Sequence, residues 1–131
     1  MAATLTPTLT LSSTDLSDVE TFSFSVDDSL SIAGQQFSRQ VVVSATRANL
    51  LLAAGYTKSY VFIKNLDTSI VVSIGMDTEA DDTIDEDATD VFMTLGPGEF
   101  AFFPWAATYN LHADAASGTP TLELRAFQAA H

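Results

Sequence analysis

Apolar and small hydroxyl side chains alternate residue by residue along much of this chain. A period of two is the geometry of a strand, whose successive side chains point to opposite faces. The clearest case is Glu20-Thr21-Phe22-Ser23-Phe24-Ser25-Val26, where Phe22, Phe24 and Val26 face one way and the hydroxyl residues the other, which predicts a half-buried strand. Near the N-terminus Leu5, Leu9 and Leu11 share a face with Pro7, and Thr4, Thr6, Thr8 and Thr10 share the opposite one. Pro7 has no N–H to give to a ladder, so residues 1–12 belong at a sheet edge or in an extended N-terminal arm.

Further apolar runs lie at Gln40 to Ser44, Tyr60 to Lys64, Ile70 to Ile74, Val91 to Leu95, Phe100 to Phe103 and Leu122 to Phe127. Tyr60 to Ile63 and Ile70 to Val72 are apolar on both faces, which predicts strands near a sheet centre. Asn65-Leu66-Asp67-Thr68 and Leu95-Gly96-Pro97-Gly98-Glu99 read as hairpin turns, because Asn and Asp bond their own backbone and Gly supplies a positive φ. Ala45 to Ala54 fits a short helix, with Ser44 as cap and Gly55 as stop, although the same letters suit a strand followed by a loop. At 131 residues with no repeat and no linker, the chain predicts one domain over residues 1–131. The expected fold is all-β: an antiparallel β-sandwich, jelly-roll-like, of about eight or nine short strands.

Hydrophobic residues make up 47% of the chain and charged residues 17%, too apolar a balance for a disordered segment. Without cysteine, disulfides, thiolate metal sites and thiol nucleophiles are excluded. The net charge of −12 opposes contact with a nucleic-acid backbone. No apolar run reaches the length of a membrane span, and Met1 to Pro7 lacks the basic start and apolar core of a leader, which predicts a soluble, unprocessed product. Residues 1–66 carry four basic and five acidic groups, whereas residues 67–131 carry one and twelve, so one end or face is expected to be strongly acidic.

Candidate chemistry is sparse. A catalytic triad needs a nucleophile, a base, most often His, and an orienting acid that converge, and an imidazole metal site needs a cluster of histidines; with His112 and His131 alone and no Gly-x-Ser-x-Gly elbow, the chain predicts no enzyme and a His112 whose polar edge is wet. Asp77 to Asp90 holds eight carboxylates and no base. Within it Asp77, Glu79, Asp81 and Asp85 fall at positions 1, 3, 5 and 9 of a calcium loop, with Ile84 at the apolar position, as a candidate Ca²⁺ set. Asp82 stands where that loop needs Gly and Ala88 where it needs a bidentate Glu, so a solvated acidic loop accounts for the same letters. Phe102 and Phe103, being adjacent, point to opposite faces, which calls for a central strand or a face that meets another subunit. Leu5, Leu9, Leu11, Phe103, Trp105 and Phe127 are therefore the candidate interface residues.

From Tyr60 onward the segment order is a familiar one. An apolar strand runs into Lys64-Asn65-Leu66-Asp67, a second ends in Ile74-Gly75, a variable loop follows, and then come Leu95-Gly96-Pro97-Gly98-Glu99-Phe100 and Leu111-His112-Ala113-Asp114-Ala115. Over residues 60–126, about half of the chain, this resembles the small β-sandwich structural proteins of tailed bacteriophages, among them capsid decoration (cement) proteins. The acidic loop departs from that pattern. The resemblance implies a homotrimer on the outer capsid surface of the virion, made in the host cytoplasm, which bridges neighbouring units of the major capsid protein without a cofactor. The competing expectations are a tail-fibre or carbohydrate- or receptor-binding module that uses the acidic loop with Ca²⁺, and an acid–base hydrolase with two carboxylates in a cleft.

Overall fold

The computed structural model describes residues 3–13, 22–45, 48–51, 58–77, 91–106 and 110–130. Eleven strands and no helix lie among them: β1 (Ala3–Leu5), β2 (Thr8–Ser13), β3 (Phe22–Asp27), β4 (Leu30–Val42), β5 (Ala48–Leu51), β6 (Ser59–Asn65), β7 (Val72–Asp77), β8 (Val91–Leu95), β9 (Phe100–Trp105), β10 (Asn110–Asp114) and β11 (Thr121–Ala129). One sheet runs β1-β4-β11-β6-β9, a second β5-β10-β7-β8, and β2 and β3 form a separate two-stranded ribbon. Every pairing is antiparallel.

The five- and four-stranded sheets form a β-sandwich. Val61 and Ile63 of β6 and Leu122, Leu124 and Ala126 of β11 are buried on one side of its core; Leu50, Val72, Ile74, Leu111 and Ala113 come from the other sheet. β6 lies between β11 and β9 as expected, and β7 lies between β10 and β8, but of the Ile70 to Val72 run only Val72 belongs to β7, Ile70 and Val71 lying before it with Val71 exposed. The aromatic strand β9 is instead an edge strand, and Pro104 fits an edge because the missing N–H leaves no ladder bond unmade.

The helix expected over Ala45 to Ala54 is absent from its described part. Ala48–Leu51 is strand β5, paired with β10, with Leu50 sealed in the core. Helix propensity differs among these residues by fractions of a kcal/mol, less than the ~2 kcal/mol from burying one leucine, so packing decides. Arg39 Nη2 ties the sheets further, donating to the Leu50 carbonyl at 2.9 Å.

Both predicted turns exist, but neither closes a hairpin. Asn65 to Ile70 carries the chain from β6 of the larger sheet to β7 of the smaller one, and Gly96 to Glu99 carries it back from β8 to β9. Asn65, fully buried, holds the two crossings together. Its Nδ2 donates to the carbonyls of Ile70 at 2.8 Å and Leu95 at 3.0 Å, and its Oδ1 accepts from the Asp67 N–H at 3.0 Å. Its main chain donates to the Glu99 carbonyl at 2.9 Å and accepts from the Gly98 N–H at 3.0 Å. Gly98 has φ 77°, a conformation in which a side chain is strained. Gly118, at φ 73°, lies so close to the Ile70 side chain that a Cβ there would collide with it.

The first crossing is completed by Asp67, whose Oδ1 accepts from the Ser69 and Ile70 N–H groups at 2.8 and 2.9 Å. Those two backbone donors, Ser69 first, hold its carboxyl below the ordinary value of 3.8. Stability from this group is complete above that ordinary value and is lost as pH falls through the lowered folded one. Asp67→Asn is expected to flatten this acid limb of the stability curve, and an NMR titration placing the Asp67 carboxyl at or above 3.8 contradicts the account. Asn65→Ala strips the donor from two carbonyls in the sandwich and is expected to lower unfolding free energy by about 3 kcal/mol in urea titrations. A loss below about 0.5 kcal/mol, the scale of a neutral surface change, contradicts the role given to Asn65.

Candidate functional site

The ribbon β2–β3 belongs to neither sheet of the sandwich. It prolongs the β1/β4 pair beyond Thr6 and Pro7, where Asp28 N–H still reaches the Pro7 carbonyl at 3.3 Å. Leu9 pairs with Val26 and Leu11 with Phe24 on one face of the ribbon. The other face is hydroxyl-rich, with Thr10 Oγ1 and Ser25 Oγ 3.4 Å apart. The alternation expected for Phe24 and Val26 is therefore present, but the predicted half-burial is not: each is 47% exposed. Among the described residues their strand pairs with β2 alone, and no described layer covers its apolar face.

The outer face of the five-stranded sheet is also apolar. Register places Arg125, Phe62 and Phe102 in one row across β11, β6 and β9, with Glu123, Lys64 and Phe100 in the next and Phe127, Tyr60 and Pro104 in a third. The Tyr60 and Phe102 rings stack at 6.4 Å between centroids, and those of Phe62 and Phe100 lie 6.0 Å apart. Phe100 and Phe102 remain 54% and 41% exposed. Arg125 Nη2 is 2.7 Å from Glu123 Oε1, an ion pair at the surface that adds little stability but fixes where both charges sit.

Between ribbon and sheet lies a cleft of about 790 Å³. Leu9, Val26, Asp27 and Asp28 line it from the ribbon; Phe62, Lys64, Phe100, Phe102 and Arg125 line it from the sheet. Such a site binds by burial of apolar surface, with the charges at its rim setting register and partner choice.

The candidate interface residues divide. Leu5, Leu9 and Phe127 converge on this cleft. Leu11 extends the same ribbon face and is 47% exposed. Phe127 is half-buried, packed against Ile32, Tyr60 and Ala129. Phe103 and Trp105 occupy the opposite face of β9, half-buried against the core, with Phe92 stacked on Trp105 at 5.9 Å and edge-on to Phe103 at 6.3 Å. Sequence reading missed Phe62, Phe100 and Phe102 at the cleft. The alternation Phe100, Phe102, Pro104 carried the signal, but the register that sets it beside β6 is long-range.

His112 is not wet at its edge. It lies 1% exposed on β10, on the face opposite Leu111 and Ala113, beside the equally buried Asn110. Asp77 ends β7, whereas Glu79, Asp81, Asp85 and His131 lie outside the described residues. Among the described residues no three His, Asp or Glu side chains are grouped to hold a metal, and no helix is long and apolar enough to cross a membrane.

Compared with protein-family models, with curated proteins and with solved structures, the chain finds no match.

Leu11→Ser, at an exposed position, is expected to shift unfolding free energy by no more than about 0.5 kcal/mol, and Phe102→Ser, which also loses its stacking on Tyr60, by about 1 to 2 kcal/mol, with the fold intact in both. At concentrations low enough that copies of the chain stay apart, both are expected to weaken binding of a hydrophobic fluorescent dye. A large destabilisation with unchanged dye binding contradicts the placement of these side chains.

Proposed function

We propose that this chain is a non-enzymatic structural protein of a tailed-phage virion, which decorates the outer capsid surface and acts by contact with protein. One observation carries the reading. Two exposed apolar faces, one on the ribbon and one on the five-stranded sheet, meet at a cleft beside the sandwich. Soluble monomers seldom leave a large contiguous apolar patch uncovered, and such patches mark surfaces made for partners. The resemblance of residues 60–126 to the small β-sandwich proteins of tailed phages is what favours the major capsid protein, together with further copies of the chain, as partner.

A second reading, a tail-fibre module that binds a glycan or receptor, draws on the size of the cleft, which lies within the range of ligand pockets. It predicts ligand binding that a chelator abolishes, if residues 77–90 supply Ca²⁺.

Immunogold electron microscopy with antibody to the purified chain tests the leading reading. Label on the outer head surface is the expected result. Label confined to tail fibres supports the second reading, and absence of the chain from purified virions contradicts both.

A further inference from the structure

The cleft has an unusual composition for one chain: both of its sides are apolar and open. Leu9 and Val26 on the ribbon are 40% and 47% exposed although they line the same space as Phe100 and Phe102. Beyond them Leu11 and Phe24 continue the ribbon's apolar face with equal exposure. A surface of this kind buries itself against something of matching chemistry, and the chain itself carries both halves of the match.

The charges point the same way. Asp27 and Asp28 stand on the ribbon side, Lys64 and Arg125 on the sheet side. A chain of net charge −12 repels its own copies over most approaches. Here the two ribbon carboxylates stand opposite Lys64 and Arg125, the latter already paired with its sheet neighbour Glu123, so the ribbon side is acidic where the sheet side offers an open cation in Lys64.

The ribbon is also attached by a joint suited to exchange. Pro7 gives no N–H to the ladder, and the β1/β4 pairing passes to the β2/β3 pairing through Thr6-Pro7 on one strand and Asp28-Ser29 on the other. Re-aiming a hairpin at such a joint keeps its internal ladder intact, so the ribbon can reach a neighbouring copy without loss of its own pairing.

We propose that a second copy of this chain occupies the cleft. The β2–β3 ribbon of each copy seats its Leu9, Leu11, Phe24 and Val26 face on the Phe100 and Phe102 face of a neighbour, with Asp27 and Asp28 against that neighbour's Lys64. The inference rests on the reading of the chain as a protein that works by protein contact, and it assigns the surface through which copies associate.

The chain has no cysteine, so introduced thiols report without background. Leu9→Cys and Phe102→Cys copies, mixed in equal amounts and oxidised, are expected to give the mixed disulfide dimer well above its statistical share. Light scattering is expected to find the unmodified chain as an oligomer and Phe102→Glu as a monomer; Leu11→Ser serves as the second variant should Phe102→Glu unfold. An unmodified chain that scatters as a monomer at every concentration overturns the proposal. So does a Leu9→Cys/Phe102→Cys double variant that closes its disulfide only within one chain. Where such a monomer still labels phage heads, the exchange fails while the decoration reading stands.

Discussion

Five hydrogen bonds converge on Asn65, and through them the two sheets of the sandwich are fixed to each other at one end. The physical demand is simple. A chain that crosses from one sheet to the other leaves carbonyls inside the sandwich with no strand to pair them, and each buried orphan costs about 1 to 3 kcal/mol. A primary amide answers this where an aliphatic side chain cannot, because it donates twice and accepts from the same planar group. With the β6–β7 and β8–β9 crossings joined, β6 and β9 are held in register. That register alone places Phe62 beside Phe102 and Lys64 beside Phe100. The outer aromatic face is thus a consequence of a polar residue in the core.

The strands were legible because alternation is local. Tyr60 to Ile63 reads as an interior strand and is interior, whereas of Ile70 to Val72 only Val72 enters the interior strand β7: Ile70 lies in the crossing before it and Val71 is exposed. What the turns connect was not legible. Asn65 to Thr68 and Leu95 to Glu99 have the residues of tight turns, yet each joins strands of different sheets. Turn chemistry specifies local dihedrals and not the partner of the strand that follows. The same limit explains β9: Phe102 and Phe103 do face opposite ways, but edge or centre depends on pairing across about 40 residues. The exposed ribbon was misjudged for a related reason, because alternation states which side chains share a face and is silent on whether a layer covers it.

At the cleft, Leu5 and Leu9 of the N-terminal segment are among the lining side chains. Residues 3–13 are committed to two ladders within their own chain, β1 with β4 and β2 with β3, so their apolar side chains are displayed by a ribbon of defined shape. A preformed ribbon has less conformational freedom to lose on association than a disordered arm, which favours binding. Its apolar face and the aromatic sheet face together give the molecule one sticky side whose rim carries both signs of charge.

The central claim is that this side is where copies of the chain meet. Hydrogen–deuterium exchange measured across a concentration series tests it most directly, because burial between copies slows exchange only where they touch. Slower exchange in β2, β3 and β9 as concentration rises, with β7 and β10 unchanged, is the predicted result. Exchange rates in the ribbon and in β9 that are independent of concentration would contradict the account.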